Sequence, residues 1–160
     1  MFFLWVDPWI RKLWFALIDE NKKIYELWAI INELESYNDN PRRMYELSKF
    51  FDKLLEKYDI QSVCIEKLFF TRYNQANAEF VYGVRGILLS KFYEKNIKIV
   101  ELTPKEIKKI ITWNWASNKL SIQRSVQRLF NLVEMPQPHD AADALWMAWI
   151  ALKTYLKNKV

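Results

Sequence analysis

Long apolar runs and disulfides are absent from this chain of 160 residues. The one cysteine, Cys64, excludes an internal disulfide, and its apolar neighbours Val63 and Ile65 favour a buried thiol over a nucleophile. The apolar stretch at 144–152 is well short of the roughly 20 residues of a membrane span. The opening MFFLWV lacks the basic region and cleavage site of a signal peptide. We therefore expect a soluble, cytoplasmic protein.

Glycine is also scarce: the chain has 2, where average usage predicts about 11. Both fall in a helix predicted from about residue 75 to 95. The i, i+3 spacing of Gly83 and Gly86 favours close approach of another element, such as a helix of a second subunit, and a local kink is the alternative. Tryptophan, in contrast, is abundant at 8 residues.

The charge balance and the length set broad bounds. There are 24 Lys and Arg against 19 Asp and Glu, a net charge of +5. This excess suits a polyanionic partner, although it is also compatible with ordinary solubility. The length suits one compact domain, and no repeat, linker or low-complexity stretch divides it, so we predict a single domain over residues 1–160.

The apolar runs predict five strands. Three closely spaced runs suggest an antiparallel meander, and two later runs alternate with helices. The runs occupy residues 2–6, about 12–18, about 23–31, 62–66 and 97–101.

Capping residues mark several helix starts. Asn40 and Pro41 fit an N-cap and a first helical position, and Thr103 with Glu106 forms a capping pattern. The remaining helices are predicted at about 120–130 and about 140–156.

Four acidic residues stand where elements begin or end. Asp7 and Glu66 each end an apolar run, and Asp140 and Asp143 lie three apart in HDAADAL, which puts them on one helix face. They are either scattered caps and solvated charges, which suit a helix dipole, or one cluster. A cluster of four carboxylates needs cations to stay ionised, and oxygen ligands favour magnesium or manganese. Two such ions are the usual equipment for cutting or joining a phosphodiester.

Six segments in order resemble the family of RuvC-type Holliday junction resolvases over nearly the whole chain. The resemblance implies an α/β, RNase H-like fold: a five-stranded mixed sheet, three antiparallel strands and then strands alternating with helices, flanked by helices. The matching segments are VDP at 6–8, IEKLFF at 65–70, VRGILL at 84–89, LTPKEIKKIIT at 102–112, IQRSVQRLFNL at 122–132 and DAADAL at 140–145.

By this resemblance the four acids fall on the family's catalytic positions. Asp7 would bridge two Mg²⁺ ions, Glu66 and Asp143 would each hold one, and Asp140 matches the remaining acid. Mn²⁺ is expected to substitute for Mg²⁺. His139, the only histidine, is either a nearby proton acceptor or simply a histidine in a surface turn.

Further residues are expected at the DNA. Lys108 and Lys119 match two family lysines near the scissile phosphate, with solvated helix faces as the alternative. Phe69 matches an aromatic that resembles a wedge stacking on bases at the junction crossover. The expected phosphate contacts without a motif are Arg72, Arg124 and Arg128.

The implied activity is magnesium-dependent cleavage of four-way DNA junctions by a homodimer, in homologous recombination and DNA repair. Paired symmetric nicks would leave 5′ phosphate and 3′ hydroxyl ends, and a branch-migration motor complex is a candidate partner. Two other interpretations stay open: another RNase H-like nuclease acting on RNA, and a catalytically silent junction-binding protein.

The tryptophans depart from the family pattern. Several occupy places where the family has glycine or another small residue, and glycine plus tryptophan total 10, close to the expected glycine count. We hypothesise that the source organism reads UGA as glycine whereas this sequence was translated with UGA as tryptophan. The alternative is a lineage that acquired tryptophans there. The positions concerned are Trp5, Trp9, Trp14, Trp28, Trp113, Trp115 and Trp146.

Overall fold

The computed structural model describes residues 1–8, 12–31, 39–67, 78–103, 106, 110 and 119–157, with Ile31 and Lys119 described by their backbone alone. Five strands and four long helices lie in these ranges. The strands are β1 (Phe2–Asp7), β2 (Lys12–Asp19), β3 (Ile24–Ile31), β4 (Ile60–Glu66) and β5 (Lys98–Leu102). The helices are α1 (Asn40–Lys57), α2 (Ala78–Glu94), α3 (Lys119–Leu129) and α4 (His139–Lys157).

The strands form one sheet in the order β3-β2-β1-β4-β5. β1 pairs antiparallel with β2, and β2 pairs antiparallel with β3. On its other side β1 pairs parallel with β4, which pairs parallel with β5. The predicted five-stranded mixed sheet is therefore confirmed. Because β1 and β4 are adjacent and parallel, their carboxyl ends lie at the same edge of the sheet.

Side chains of β1 alternate between two hydrophobic layers. Phe3 and Trp5 belong to the layer covered by α4, with Cys64 of β4 and Val126 of α3. Leu4 and Val6 belong to the opposite layer, which α1 and α2 cover with Leu47, Phe51, Leu54, Val84, Leu88 and Phe92. The sheet is thus buried on both faces, which accounts for the nearly continuous apolar runs of β1 and β4.

Local polar contacts set the element ends. Asp19 Oδ1 accepts hydrogen bonds from the backbone N–H groups of Asn21 and Lys23, both at 2.9 Å, and so closes the β2–β3 turn. After α2 and after α3 an asparagine adopts a positive φ, 55° at Asn96 and 52° at Asn131. Asparagine tolerates this left-handed conformation, which ends a helix without glycine.

Two expected caps have different outcomes. The N-cap of α1 is Asp39 rather than Asn40, because the Asp39 carboxylate accepts from Arg42 N and Asn40 is already helical. The Thr103–Glu106 pattern is confirmed as a capping box: Glu106 N donates to Thr103 Oγ1 at 3.2 Å, and Thr103 N donates to Glu106 Oε2 at 2.8 Å.

The two glycines of α2 have different surroundings. A Cβ on Gly83 would lie 2.5 Å from Met44 Cε, the flexible end of a side chain of α1, so the close contact at this glycine is with a helix of the same subunit rather than of a second one. A Cβ on Gly86 would meet no atom of the described residues within 4 Å. An ion pair between Lys91 and Asp52 also ties α2 to α1. None of the helices in the described ranges is long and apolar enough to cross a membrane.

Candidate active site

Two of the four acids meet at the carboxyl edge of the sheet. Val6 pairs with Ile65 in the parallel register, so Asp7 and Glu66, each one residue further on, end neighbouring strands at the same level. The period-two alternation puts Asp7 on the face of Trp5, and Glu66 on the face of Cys64. Both carboxylates are therefore on the side of the sheet that α4 covers.

The other two acids come from the first turn of α4. This helix packs across β1, β2 and β4. Ala142, Ala144 and Leu145 are buried in the layer between helix and sheet, and Ala141 is buried as well, which lets the helix approach closely. Asp143 is half-buried and Asp140 is exposed. The small buried side chains thus bring this end of α4 toward the strand ends that carry Asp7 and Glu66.

Electrostatics shows that the four acids interact. The pKa of Asp7 is raised from 3.8 to about 7, first by burial and then by the charges of Glu66 and Asp140. Burial likewise raises the pKa of Glu66, with the charge of Asp143 as the second cause. The pKa of each strand-end carboxylate is therefore raised by the charge of one aspartate of α4. The charge effects link the four acids in pairs, which favours one interacting group over scattered caps.

The chemistry of this group fits a divalent cation. Asp7 Oδ1 is buried and has no hydrogen-bond partner among the described residues, an arrangement that is costly for an ionised carboxylate unless a cation or a donor faces it. Across the described ranges, no three acid, histidine or cysteine side chains already stand together as a ready-made metal site. Carboxylates that no cation neutralises repel one another, so cation binding would have to draw them together by side-chain rotation.

The structure describes some, but not all, of the remaining residues that the sequence predicted at the site or at the DNA. His139 is the first residue of α4, not part of the preceding turn, because Ala141 N already donates to Pro138 O at 3.0 Å and extends the helix. It is exposed, as are Arg124 and Arg128, which lie one turn apart on α3. Lys119 begins α3, and its side chain is not described. The expected residues Phe69, Arg72 and Lys108 lie outside the described ranges.

Other residues near the acids were missed by the sequence analysis. Trp14 pairs directly with Asp7 across β1 and β2 and so lies on the same face of the sheet, and the Lys12 ammonium is 5.0 Å from the centre of its ring. Gln123 and Gln127 of α3 contact the connection that leads into α4. The signal for Gln123 is its i, i+3 spacing to the buried Val126, which puts a polar side chain on the buried face of α3.

The sheet has the strand order of an RNase H-like protein. Its acidic site is formed by acids at the ends of two neighbouring parallel strands and on the helix packed across them. The model of one family, described as "Crossover junction endodeoxyribonuclease RuvC", matches residues 3–151. The chain belongs to this family, which is one of metal-dependent nucleases.

Relatives of the same description cover most of the chain. A crossover junction endodeoxyribonuclease of Thermotoga petrophila is 38% identical over 118 residues, 72% of this chain and 71% of the relative. One from Prochlorococcus marinus (strain MIT 9211) is 31% identical over 163 residues, 100% of this chain and 99% of the relative.

Solved structures show the same fold. The Thermus thermophilus RuvC structure matches with a TM-score of 0.80 at 19% identity, covering 99% of this chain and 96% of that one. T. thermophilus RuvC in complex with a Holliday junction substrate matches with a TM-score of 0.77, also at 19% identity and with the same coverage. The yeast mitochondrial Holliday junction resolvase Ydc2 matches with a TM-score of 0.60 at 16% identity, covering 97% of this chain and 80% of that one.

Proposed function

We propose that this protein is a structure-specific endonuclease that resolves four-way DNA junctions by paired, symmetric nicks in homologous recombination and DNA repair. The single observation that carries the proposal is the acid group itself: Asp7 has a raised pKa and a buried oxygen that no described residue hydrogen-bonds. An acidic group of this kind, in a chain of net charge +5, suits a cation-dependent reaction on a polyanion. Family membership supports the same activity.

The cofactor of the proposal is Mg²⁺, two ions per subunit, with Mn²⁺ able to substitute. The residues that would hold the ions are Asp7, Glu66, Asp140 and Asp143. When bound, such ions supply an activated water and offset charge on the leaving oxygen of the phosphodiester. The products of the proposed reaction carry 5′ phosphate and 3′ hydroxyl ends.

The protein's own contribution is the placement of charge. Asp7 is presented from a buried strand, so its backbone position is fixed by the sheet rather than by a loop. Glu66 is presented in the same way from β4. Asp140 and Asp143 come from a helix N-terminus, whose dipole favours their ionised forms. Ionised acids on three rigid elements attract cations and keep them near one point of the DNA backbone.

Exposed cations would hold the DNA. Arg124 and Arg128 are exposed and one helical turn apart on α3, so both can contact the same phosphate backbone. The other predicted DNA contacts are Phe69, as the stacking wedge, and Arg72, Lys108 and Lys119. Backbone contacts of this kind supply affinity but no sequence preference, so recognition would depend on the branched shape of the junction.

A homodimer would bring two such sites to two strands of the junction, and we infer that α2 forms its interface. One stripe along this helix is formed by Tyr82, Gly86, Leu89 and Tyr93. In this stripe the exposed fraction is 47% for Tyr82 and 81% for Tyr93. A glycine within a helix costs about 1 kcal/mol, and no side chain of the described residues fills the space beside Gly86. In a two-fold dimer each copy would offer the same stripe to the other.

The dimer is tested by sedimentation of wild type and Gly86→Glu, with Ser125→Glu on the exposed face of α3 as control. We expect only Gly86→Glu to sediment as a monomer, because it places like charges opposite each other across the two-fold axis. A dimer unaffected by Gly86→Glu would refute this interface. A branch-migration motor complex remains a candidate partner.

The activity is tested by cleavage of a labelled four-way junction, with Asp7→Asn compared with Asp59→Asn. Asp59 is an exposed aspartate just before β4, at the opposite edge of the sheet, and is a matched control. We expect Mg²⁺-dependent paired nicks from wild type and Asp59→Asn and none from Asp7→Asn. Junction binding without cleavage by wild type would instead support a silent binding protein, and cleavage of an RNA–DNA hybrid another nuclease.

A further inference from the structure

Two glutamines of α3 hold the connection that leads into α4. Gln123 Nε2 donates a hydrogen bond to Pro136 O at 2.9 Å. One helical turn later, Gln127 Nε2 donates to Val133 O at 3.1 Å. Both bonds join a side-chain amide of α3 to a backbone carbonyl of residues 130–138, the segment between the two helices. The bonds are chemically alike but differ in their surroundings and in their distance from the acids.

Only the first bond is buried. Gln123 is 1% exposed, and Pro136 is buried as well. The Gln127 bond lies at the surface, beside Val133, which is 96% exposed. If the hydrogen bond between a buried amide and a buried carbonyl is broken, neither group can form a hydrogen bond to water instead, whereas exposed groups can. The Gln123 bond therefore constrains the chain far more strongly than the Gln127 bond does.

The buried bond is also close to the acid pair of α4. Pro136 lies three residues before the first residue of α4 and four before Asp140, and Pro138 O accepts from Ala141 N within the same short segment. We propose that Gln123 is a positioning residue, which fixes the start of α4 so that Asp140 and Asp143 stay opposite Asp7 and Glu66. This inference rests on the proposed function, since it assigns a role within the same acid site.

Holding the first turn of α4 matters because the acids repel one another. Asp140 raises the pKa of Asp7, and Asp143 raises that of Glu66, so each pair gains by moving apart. Further along α4, buried residues such as Leu145 and Ile150 anchor the helix to the sheet. At its N-terminal end the helix is held by the alanines and by the preceding segment. A loosened segment would let the aspartates retreat from the strand ends.

The test compares Gln123→Met with Gln127→Met. Methionine has a similar length and volume but cannot donate, so each variant removes one amide-to-carbonyl bond from the same segment. We expect Gln123→Met to raise the Mg²⁺ concentration for half-maximal junction cleavage about 10-fold. This is the lower end of the loss of metal affinity that follows when the contacts that orient metal ligands are removed. Gln127→Met should stay within about twofold of wild type, and junction binding in EDTA should be unchanged in both.

Two readouts do not need activity. Calorimetric Mg²⁺ binding without DNA should weaken about 10-fold in Gln123→Met alone. Amide exchange at residues 139–143 should accelerate in this variant and not in Gln127→Met. Gln123→Glu serves as a rescue variant, because a protonated buried glutamate can donate to Pro136 O and an ionised one cannot. Its Mg²⁺ requirement relative to wild type should be near 1 at pH 6 and should rise by pH 8.

Two results would overturn the proposal. One is equal effects of the two methionine variants on the Mg²⁺ requirement. The other is lower thermal stability of Gln123→Met with unchanged Mg²⁺ binding and unchanged amide exchange at 139–143. If Gln123→Met does not fold, the Gln123→Glu ratio at the two pH values decides in its place. A wild type that binds Mg²⁺ but does not cut junctions would refute the proposed function, while calorimetry and amide exchange would still test the role of Gln123.

Discussion

Asp7, the half-buried acid with an enclosed Oδ1 at the end of β1, should make the metal-free protein less stable as pH rises. The pKa of Asp7 rises from 3.8 to about 7 on folding, so the folded state binds the proton more tightly than the unfolded chain. The stability that this proton contributes is present below pH 3.8 and is lost as pH rises through about 7. The full loss corresponds to about 4 kcal/mol, at about 1.4 kcal/mol for each tenfold change in the protonation equilibrium.

Replacing Asp7 with asparagine keeps the shape and removes the charge. At pH 9, in EDTA, Asp7→Asn should therefore be more stable than wild type by about 2–4 kcal/mol, since the buried amide still lacks part of its hydrogen bonding. For a domain of this size the gain corresponds to about 5–15 °C in Tm. The gain should shrink as pH falls and disappear near pH 4. Mg²⁺ should raise the Tm of wild type at pH 9 and leave that of Asp7→Asn nearly unchanged.

The assay is thermal unfolding followed by circular dichroism from pH 4 to 9, with and without Mg²⁺. Glu56→Gln is the control, because Glu56 is an exposed carboxylate on α1, away from the acid edge. Its Tm should follow wild type at every pH. An Asp7→Asn protein that is no more stable than wild type at pH 9, or a gain that does not depend on pH, would refute the reasoning that Asp7 is a buried, repelled carboxylate.

Three further predictions concern other parts of the chain. Cys64 is buried and its pKa is raised to about 12, by burial first and by Glu66 second, so a thiol reagent at pH 8 should label it only after denaturation; rapid labelling of the folded protein would contradict this. Gly86→Ala should stabilise the monomer by about 1 kcal/mol in urea denaturation at low protein concentration, because the added methyl group meets no described residue and helix propensity improves; a loss of stability would show that this space is filled. Mass spectrometry of the native protein should show glycine at the seven suspect tryptophans, and tryptophan at residues 9, 113 and 115 would end the hypothesis of a reassigned codon.

Two tryptophans in the described core add a physical argument to this last hypothesis. The indole N–H groups of Trp5 and Trp146 are buried, and no residue in the described ranges accepts a hydrogen bond from them. An unsatisfied buried donor costs about 1–3 kcal/mol, so two of them in one layer are unfavourable for a domain of modest stability. Glycine at these positions removes both donors. Of the other suspect positions, Trp9, Trp113 and Trp115 lie outside the described ranges.

Most of the fold was predictable because its signals are local. The apolar runs of β1 and β4 are long enough to be read as buried strands, and the acids that end them fall at one edge once the strands are parallel. The i, i+3 spacing of Asp140 and Asp143 likewise needs only helix geometry. These signals, with the family resemblance, were sufficient to predict the acid group.

What the sequence could not supply depends on contacts between distant segments. The bond from Gln123 to Pro136 exists only because α3 packs beside the start of α4. The position of Trp14 opposite Asp7 follows from a strand register that the sequence leaves open. The one-residue shift of the α1 cap to Asp39 reflects a choice between two adjacent residues, both of them good N-caps.

The most direct test of the account is cleavage by the protein of four-way junction, linear duplex and RNA–DNA hybrid, each with Mg²⁺ and with EDTA. The protein with the printed sequence should be assayed beside Asp7→Asn and Asp59→Asn, and all three should also be made with glycine at the suspect tryptophans. The account predicts paired symmetric nicks in the junction alone, only with Mg²⁺, from every form except Asp7→Asn. Cleavage that persists in Asp7→Asn or in EDTA, or that favours the hybrid, would contradict it.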